Sequence, residues 1–174
     1  MQDWERRVAE AWASIDDYED RDDDFRALID SLAAELPADD PVGAFERACA
    51  WDSTGHSDRA VPLYRWALDH GLIGYRRRRA VIQMSSSLRN IGQAELAVRL
   101  LKAERGIDPA TLDEPTRGLG DAISATLALC LADTGREREA VSVAVGALAP
   151  HLPRYQRSMG NYARLLLAPD DKPE

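Results

Sequence analysis

The sequence contains little cysteine, the residue that forms disulfides, ligates metals and provides reactive thiols. Its 174 residues include two cysteines, Cys49 and Cys130, too few for a disulfide framework or a cysteine metal cage. We expect both to be core thiols, because they lie among apolar neighbours with no nearby cation or cysteine to activate them. The N-terminal stretch MQDWERRVAEAW lacks the apolar core of a signal peptide. A cytoplasmic location is therefore predicted.

Signatures of catalysis and of membrane insertion are also missing. No apolar run approaches the roughly 20 residues of a membrane span. The strings HExxH, GxxxxGK[ST] and GxSxG do not occur, which removes the common metalloprotease, phosphate-binding and hydrolase signatures. The three histidines, His56, His70 and His151, fall at predicted helix ends or turns, so a metal site would need three long-range coincidences. We predict no enzyme, no metal and no cofactor.

Positive charge is not in excess. The net charge is −8, which argues against nucleic acid and anionic membranes as partners. Residues 16–24 (DDYEDRDDD) contain seven acids and one arginine, and residues 170–174 contain three acids and one lysine. These two segments account for the whole excess of acid. The rest of the chain is balanced.

Strand patterns are nearly absent, and apolar residues recur at helical spacing almost everywhere. Asp22–Asp24 suit a helix N-terminus, Pro41 suits a first helical turn, and Ser57 is a candidate cap for the helix it begins. Gly106 is expected in the left-handed conformation at a helix end. The pattern predicts about nine helices joined by short links.

Three glycines mark an internal repeat at spacings of 37 and 43 residues: Gly55, Gly92 and Gly135. A small residue stands seven positions before each glycine, a large apolar residue four before, and an alanine five after. These residues are, in order, Ala48, Trp51 and Ala60; Ser85, Leu88 and Ala97; and Ala128, Leu131 and Ala140. Small residues let two antiparallel helices approach, while large residues fill the flanks.

Residues 44–71, AFERACAWDSTGHSDRAVPLYRWALDHG, resemble a tetratricopeptide repeat, a helix–turn–helix unit of about 34 residues. The string RRRAVIQMSSSLRNIGQAELAVRLL resembles a bacterial subfamily of small tetratricopeptide repeat proteins, whose members are thought to pair as dimers. The resemblance implies an all-α fold, a right-handed α-solenoid of antiparallel helix pairs with capping helices at both ends. Glu104 and Ala144 depart from the family pattern.

The expected organisation is a single helical-repeat domain over residues 1–168. Its parts are an N-terminal pair or degenerate repeat at 1–38, repeats at 41–74, 75–108 and 115–150, a capping helix at 151–168, and a disordered tail at 169–174.

In the resembled fold, the first helix of each repeat lines a concave groove. Carried over by offset, the predicted groove residues are Phe45, Glu46, Asp52, Arg79, Gln83, Ser86, Arg89, Asn90, Thr126 and Asp133. Spacings of three, four and seven put four of them on one helical face. A central stripe of arginine flanked by Asp52 and Asp133 predicts an extended acidic peptide or a C-terminal carboxylate as ligand.

The alternative is that Arg79 and Arg89 pair with acids of neighbouring helices, namely Asp52, Asp133 and Glu46. RNA is disfavoured because no aromatic residues interleave with the arginines. The predicted function is a non-enzymatic protein-interaction module or scaffold. A homodimer with the tryptophans or the C-terminal helix as contacts is the second hypothesis, and a small-molecule or peptide sensor is a remote third.

Overall fold

A computed structural model describes residues 2–168, and within that range the secondary structure is helices and turns without strands. The ten α-helices are α1 (Gln2–Ala13), α2 (Asp22–Ala33), α3 (Pro41–Ser53), α4 (Ser57–Asp69), α5 (Gly74–Asn90), α6 (Ala94–Arg105), α7 (Glu114–Arg117), α8 (Gly120–Asp133), α9 (Glu137–Leu148) and α10 (Gln156–Leu165). Since α7 is a single turn, nine longer helices remain, and the all-α prediction is confirmed. The predicted tail at 169–174 lies outside the described residues.

The three repeat glycines share one turn geometry. Gly55, Gly92 and Gly135 have φ of +81°, +78° and +71°, a region that glycine occupies without steric cost. The amide after each glycine returns to the carbonyl of the large apolar residue four positions before the glycine, at 2.8–2.9 Å. These bonds are His56 N to Trp51 O, Gln93 N to Leu88 O, and Arg136 N to Leu131 O. The spacing found in the sequence is therefore a repeated helix C-terminal motif.

Three of the predicted helix boundaries are corrected. Helix α4 begins at Ser57, so His56 rather than Ser57 takes the cap position. Gly106 has φ −76°, because the chain leaves α6 through a further right-handed turn in which the Gly106 amide bonds to Lys102 O at 3.1 Å. Helix α10 begins at Gln156 and not near Pro153, since Tyr155 has a left-handed φ of 69°. Pro41 follows the prediction, with Asp40 as the cap.

The structure divides into two compact units, and the boundary falls inside α5, between Ser87 and Leu88. In the first unit, α1 and α2 build a core with one residue of α3: Trp4, Val8, Ala11, Phe25, Ile29, Leu32 and Ala50. Trp4 is 6% exposed and donates its indole N–H to Leu32 O at 2.8 Å. The N-terminal helices thus bury their apolar stripe within this unit.

In the second unit, α6 packs on α8, α8 on α9, and α9 on α10. Its core contains the fully buried side chains Leu88, Leu101, Ile123, Leu127 and Leu131. Helix α10 contacts α9 through Ala163, whose carbonyl accepts the Ser142 hydroxyl at 2.7 Å. Helices adjacent in sequence pack on each other, as in a helical repeat.

Candidate functional site

The N-terminal half of α5 carries an arginine-rich surface of the first unit that borders a pocket. Gly71 (φ +90°) and Gly74 (φ +59°) turn the chain sharply between α4 and α5. Arg76 and Arg79 follow on the first turns of α5. Because they are three positions apart, they lie on the same side of the helix. Helix α3 contributes Phe45, which contacts Arg79, and Glu46, which contacts Arg76.

Arg76 is paired twice. Its Nη1 and Nη2 donate to Glu5 Oε1 at 3.1 Å and Oε2 at 2.5 Å, while Nε donates to Glu46 Oε1 at 3.2 Å. Burial alone would lower the pKa of Arg76. The hydrogen bond to Glu5 and the negative charge of Glu46 have the larger combined effect, so the pKa of Arg76 is raised. Glu46 also accepts the Trp12 indole N–H at 2.9 Å. A carboxylate that is 3% exposed is thereby satisfied on both oxygens.

Arg79 is placed differently. Its guanidinium carbon lies 5.2 Å from the Phe45 ring centroid and 5.9 Å from that of Tyr75, within cation–π range. Among the residues that the structure describes, no carboxylate lies within ion-pair distance of Arg79. The predicted alternative, in which Arg79 pairs with Asp52 or Glu46, is not what the first unit shows. The Arg79 guanidinium contacts the Phe45 and Tyr75 rings, and its N–H donors are available to a bound carboxylate.

A pocket of about 510 Å³ opens beside these two arginines. Its lining residues are Glu5, Pro41, Val42, Gly71, Leu72, Ile73, Tyr75, Arg76 and Arg79. Ile73 is 80% exposed and Tyr75 43% exposed, so an apolar rim stands next to the charged groups. A pocket that combines a guanidinium with an apolar rim suits a carboxylate that sits beside a large apolar side chain.

Further along α3 and α5, two of the predicted groove residues, Asp52 and Gln83, form hydrogen bonds inside the first unit. Asp52 accepts the Ser87 hydroxyl at 2.6 Å and the Tyr64 hydroxyl at 3.4 Å, and burial raises its pKa. The Cys49 thiol donates to Gln83 Oε1 at 3.5 Å. Burial raises the pKa of that thiol to about 12, so it is protonated at neutral pH. These contacts stabilise the packing of the two helices.

The ten predicted groove residues divide between the units. Phe45, Glu46, Asp52, Arg79, Gln83 and Ser86 belong to the first unit, and Arg89, Asn90, Thr126 and Asp133 belong to the second. In the second unit, Arg89 Nε lies 2.6 Å from Asp133 Oδ2, as the ion-pair alternative predicts. Thr126 donates its hydroxyl to Ala122 O of its own helix at 2.8 Å. Ser86 is half-buried and Asn90 is exposed. A groove made by all ten stays a prediction.

The comparisons bear on the repeats. The family model described as Tetratrico peptide repeat matches residues 41–166. The chain belongs to the tetratricopeptide repeat family. No curated protein and no solved structure matches the chain at a significant level. The family fold is typically a non-enzymatic protein-interaction fold, and the matched range begins at α3, which carries Phe45 and Glu46.

Within this tetratricopeptide repeat chain, the sequence reasoning missed the pocket rim and Glu5. Ile73 could have signalled the rim, because it is a large apolar residue in the short turn segment GLIG, outside the predicted helices. Glu5 gave no signal, since it is one of 30 acidic residues and its contact with Arg76 spans 71 positions.

Neither a metal centre nor a membrane helix stands out in residues 2–168. No group of three or more His, Cys, Asp or Glu side chains in that range is arranged to hold a metal ion. No helix there combines the length and the apolar character needed to cross a membrane.

Proposed function

We propose that the chain is a protein-interaction module whose first unit binds an acidic peptide segment or a C-terminal carboxylate in the pocket beside Arg79. The observation that carries this proposal is the Arg79 guanidinium, held over Phe45 and Tyr75 without a carboxylate partner among the described residues. A planar guanidinium offers two parallel N–H donors to a carboxylate. Membership in an interaction-fold family supports a protein as the partner.

The apolar rim adds to this proposal. Ile73 and Tyr75 border the same pocket, and both side chains are more than 40% exposed. An apolar side chain of the bound segment covers this rim, which contributes roughly 25 cal/mol for each Å² of apolar surface removed from water. The ligand class is therefore a peptide that presents a carboxylate and a large apolar side chain on the same face.

Fluorescence anisotropy with a labelled peptide tests the proposal. The probe is Ser-Leu-Ser-Glu-Ser-Glu-Ser with an amidated C-terminus, and the variant is Arg79→Gln. The matched control is Arg99→Gln, which removes the same charge from an exposed position on α6. We expect Arg79→Gln to weaken binding about tenfold and Arg99→Gln to change it less than twofold. Equal effects of both variants would refute a specific site at Arg79.

Self-association is the second candidate function. Helix α10 and the residue before it expose large side chains: Tyr155 at 73%, Tyr162 at 61% and Leu165 at 61%. These side chains expose apolar area near the end of the described chain, whereas Met159 on α10 and Leu166 just after it are partly covered. Light scattering from about 1 to 100 μM measures the mass, and a constant monomer mass over this range contradicts self-association.

A further inference from the structure

Glu5 already occupies part of the pocket with a carboxylate from α1. It forms a two-point contact with Arg76, which is the geometry that a bound carboxylate adopts with arginine. We propose that Glu5 is an internal stand-in for a second ligand carboxylate, so that the pocket accepts one acidic group at Arg79 and a second at Arg76 only when Glu5 is displaced. This inference rests on the proposed function of the same pocket.

The two acids that hold Arg76 are not equivalent. The Glu46 side chain is 4% exposed and is also fixed by Trp12, so its removal would leave buried donors unpaired. The Glu5 side chain is 42% exposed, and Arg76 is its partner in the described part of the chain. Glu5 can rotate into water at small cost, because its carboxylate is already partly hydrated while it is paired. Glu46 is the permanent partner and Glu5 the replaceable one.

The spacing of the two arginines defines the preferred ligand. Cβ atoms three residues apart on a helix are about 5–6 Å from each other. In an extended peptide, side chains at i and i+2 point the same way and are separated by about 7 Å. A segment with acidic residues at i and i+2 can therefore contact both guanidinium groups at once. A segment with one acidic residue contacts Arg79 and leaves Glu5 in place.

The test uses two amidated, fluorescently labelled peptides that differ by one charge, Ser-Leu-Ser-Glu-Ser-Glu-Ser and Ser-Leu-Ser-Glu-Ser-Gln-Ser. Their affinities are measured by anisotropy for the unmodified chain, for Glu5→Gln, and for the control Glu10→Gln. Glu10 lies on the same helix, is exposed, and pairs with Arg6. Both variants remove one negative charge, so general electrostatic attraction of an acidic peptide is matched.

We expect Glu5→Gln to tighten binding of the two-glutamate peptide about three- to tenfold, and binding of the one-glutamate peptide at most about twofold. Glu10→Gln should change both by less than twofold. Equal gains for Glu5→Gln and Glu10→Gln with the two-glutamate peptide would overturn the stand-in role. Glu5→Ala repeats the test with a side chain that cannot donate a hydrogen bond.

Failure of the underlying site has a different signature. If the Arg79→Gln substitution leaves peptide binding unchanged in both the unmodified and the Glu5→Gln backgrounds, the proposal that peptides bind in the pocket beside Arg79 is refuted. If Arg79→Gln weakens binding while Glu5→Gln behaves as Glu10→Gln, the binding site at Arg79 is supported and the proposed role of Glu5 is refuted. Circular dichroism of each variant confirms that helix content is retained.

Discussion

The guanidinium carbon of Arg79 lies 5.2 Å from the centroid of the Phe45 ring, and Phe45 is fully buried. The ring therefore serves two purposes in the first unit. It fills the core together with Tyr64, whose ring centroid is 6.2 Å away, and it supports the cation at the pocket. A cation–π contact of this kind contributes roughly 0.5–2 kcal/mol, depending on its exposure to water.

Replacing that ring should separate packing from binding. We expect Phe45→Leu to destabilise the fold by about 1–2 kcal/mol, because it removes core volume, and to weaken acidic-peptide binding severalfold, because Arg79 loses its support. Phe25→Leu is the control, since Phe25 is equally buried and has Trp12 and Tyr18 beside it. It should cost similar stability and leave the affinity unchanged. A matching loss of affinity in both variants would contradict the role of Phe45.

The glycines at the two ends of α8 should respond with opposite sign to the same substitution. Gly135→Ala places a side chain at φ +71°, which costs about 1–2 kcal/mol. Gly120→Ala adds a methyl group that meets nothing within 4 Å at the first residue of the helix, and it should stabilise by about 0.4–1 kcal/mol. Thermal unfolding of the two variants measures both. A stabilised Gly135→Ala would mean that the repeat turn is not left-handed in solution.

An ion-pair cluster in the second unit predicts a dependence of stability on pH. Glu139 accepts hydrogen bonds from Lys102 and Arg136, which lower its pKa. A carboxyl group whose pKa is lowered on folding stabilises the folded state above its unfolded pKa of about 4.3. That stabilisation is lost as the pH falls through the lower, folded value.

We therefore expect Glu139→Gln to reduce stability by up to about 1 kcal/mol at pH 7 and by less near pH 3. Urea unfolding at the two pH values checks this. Glu137→Gln, at an exposed position on the same helix, should have little effect at either pH. A difference for Glu139→Gln that is as large at pH 3 as at pH 7 would show that packing, not charge, explains it.

The two thiols should be protected in the folded chain. Cys49 is 1% exposed and Cys130 is 0% exposed. With a pKa of about 12, the Cys49 thiol is ionised in roughly one molecule in 10⁴ at pH 8, and burial also raises the pKa of Cys130. A thiol-specific chromophore should therefore react at least about a hundredfold faster in denaturant than in buffer. Rapid labelling of the native chain would contradict this burial.

The helices and their turns could be predicted from sequence because the signals are local. The small residue, the large residue and the glycine of each repeat lie within eight positions, and the turn needs only Gly55, Gly92 or Gly135 to reverse the chain. Gly106 shows the limit of such reasoning. The sequence around it resembles a helix end of the same kind, yet the chain continues in a right-handed turn, with the Gly106 amide bonded to Lys102 O.

The candidate site was less predictable because its partners are distant in sequence. Arg79 and Phe45 were predicted as groove residues from the family resemblance, and they do meet. Whether Arg79 or Arg76 would carry the ion pairs could not be decided, since both lie on the same side of α5 and the acids come from α1 and α3. Arg89 and Asp133 were predictable as a pair because Arg89 stands three residues before Gly92 and Asp133 two residues before Gly135, so both lie near the C-terminal end of a helix.

Glu46 has a consequence for how sequences related to this chain diverge. Its buried carboxylate is neutralised by Arg76 and bound by the Trp12 indole, so a change at any one of these three positions leaves a buried polar group unsatisfied, at a cost of about 1–3 kcal/mol. Selection should therefore remove a substitution at one of these positions alone and keep substitutions that change the three positions together. In an alignment of relatives, positions 12, 46 and 76 should covary. Relatives that keep all three residues are expected to keep the contact between α1 and α3.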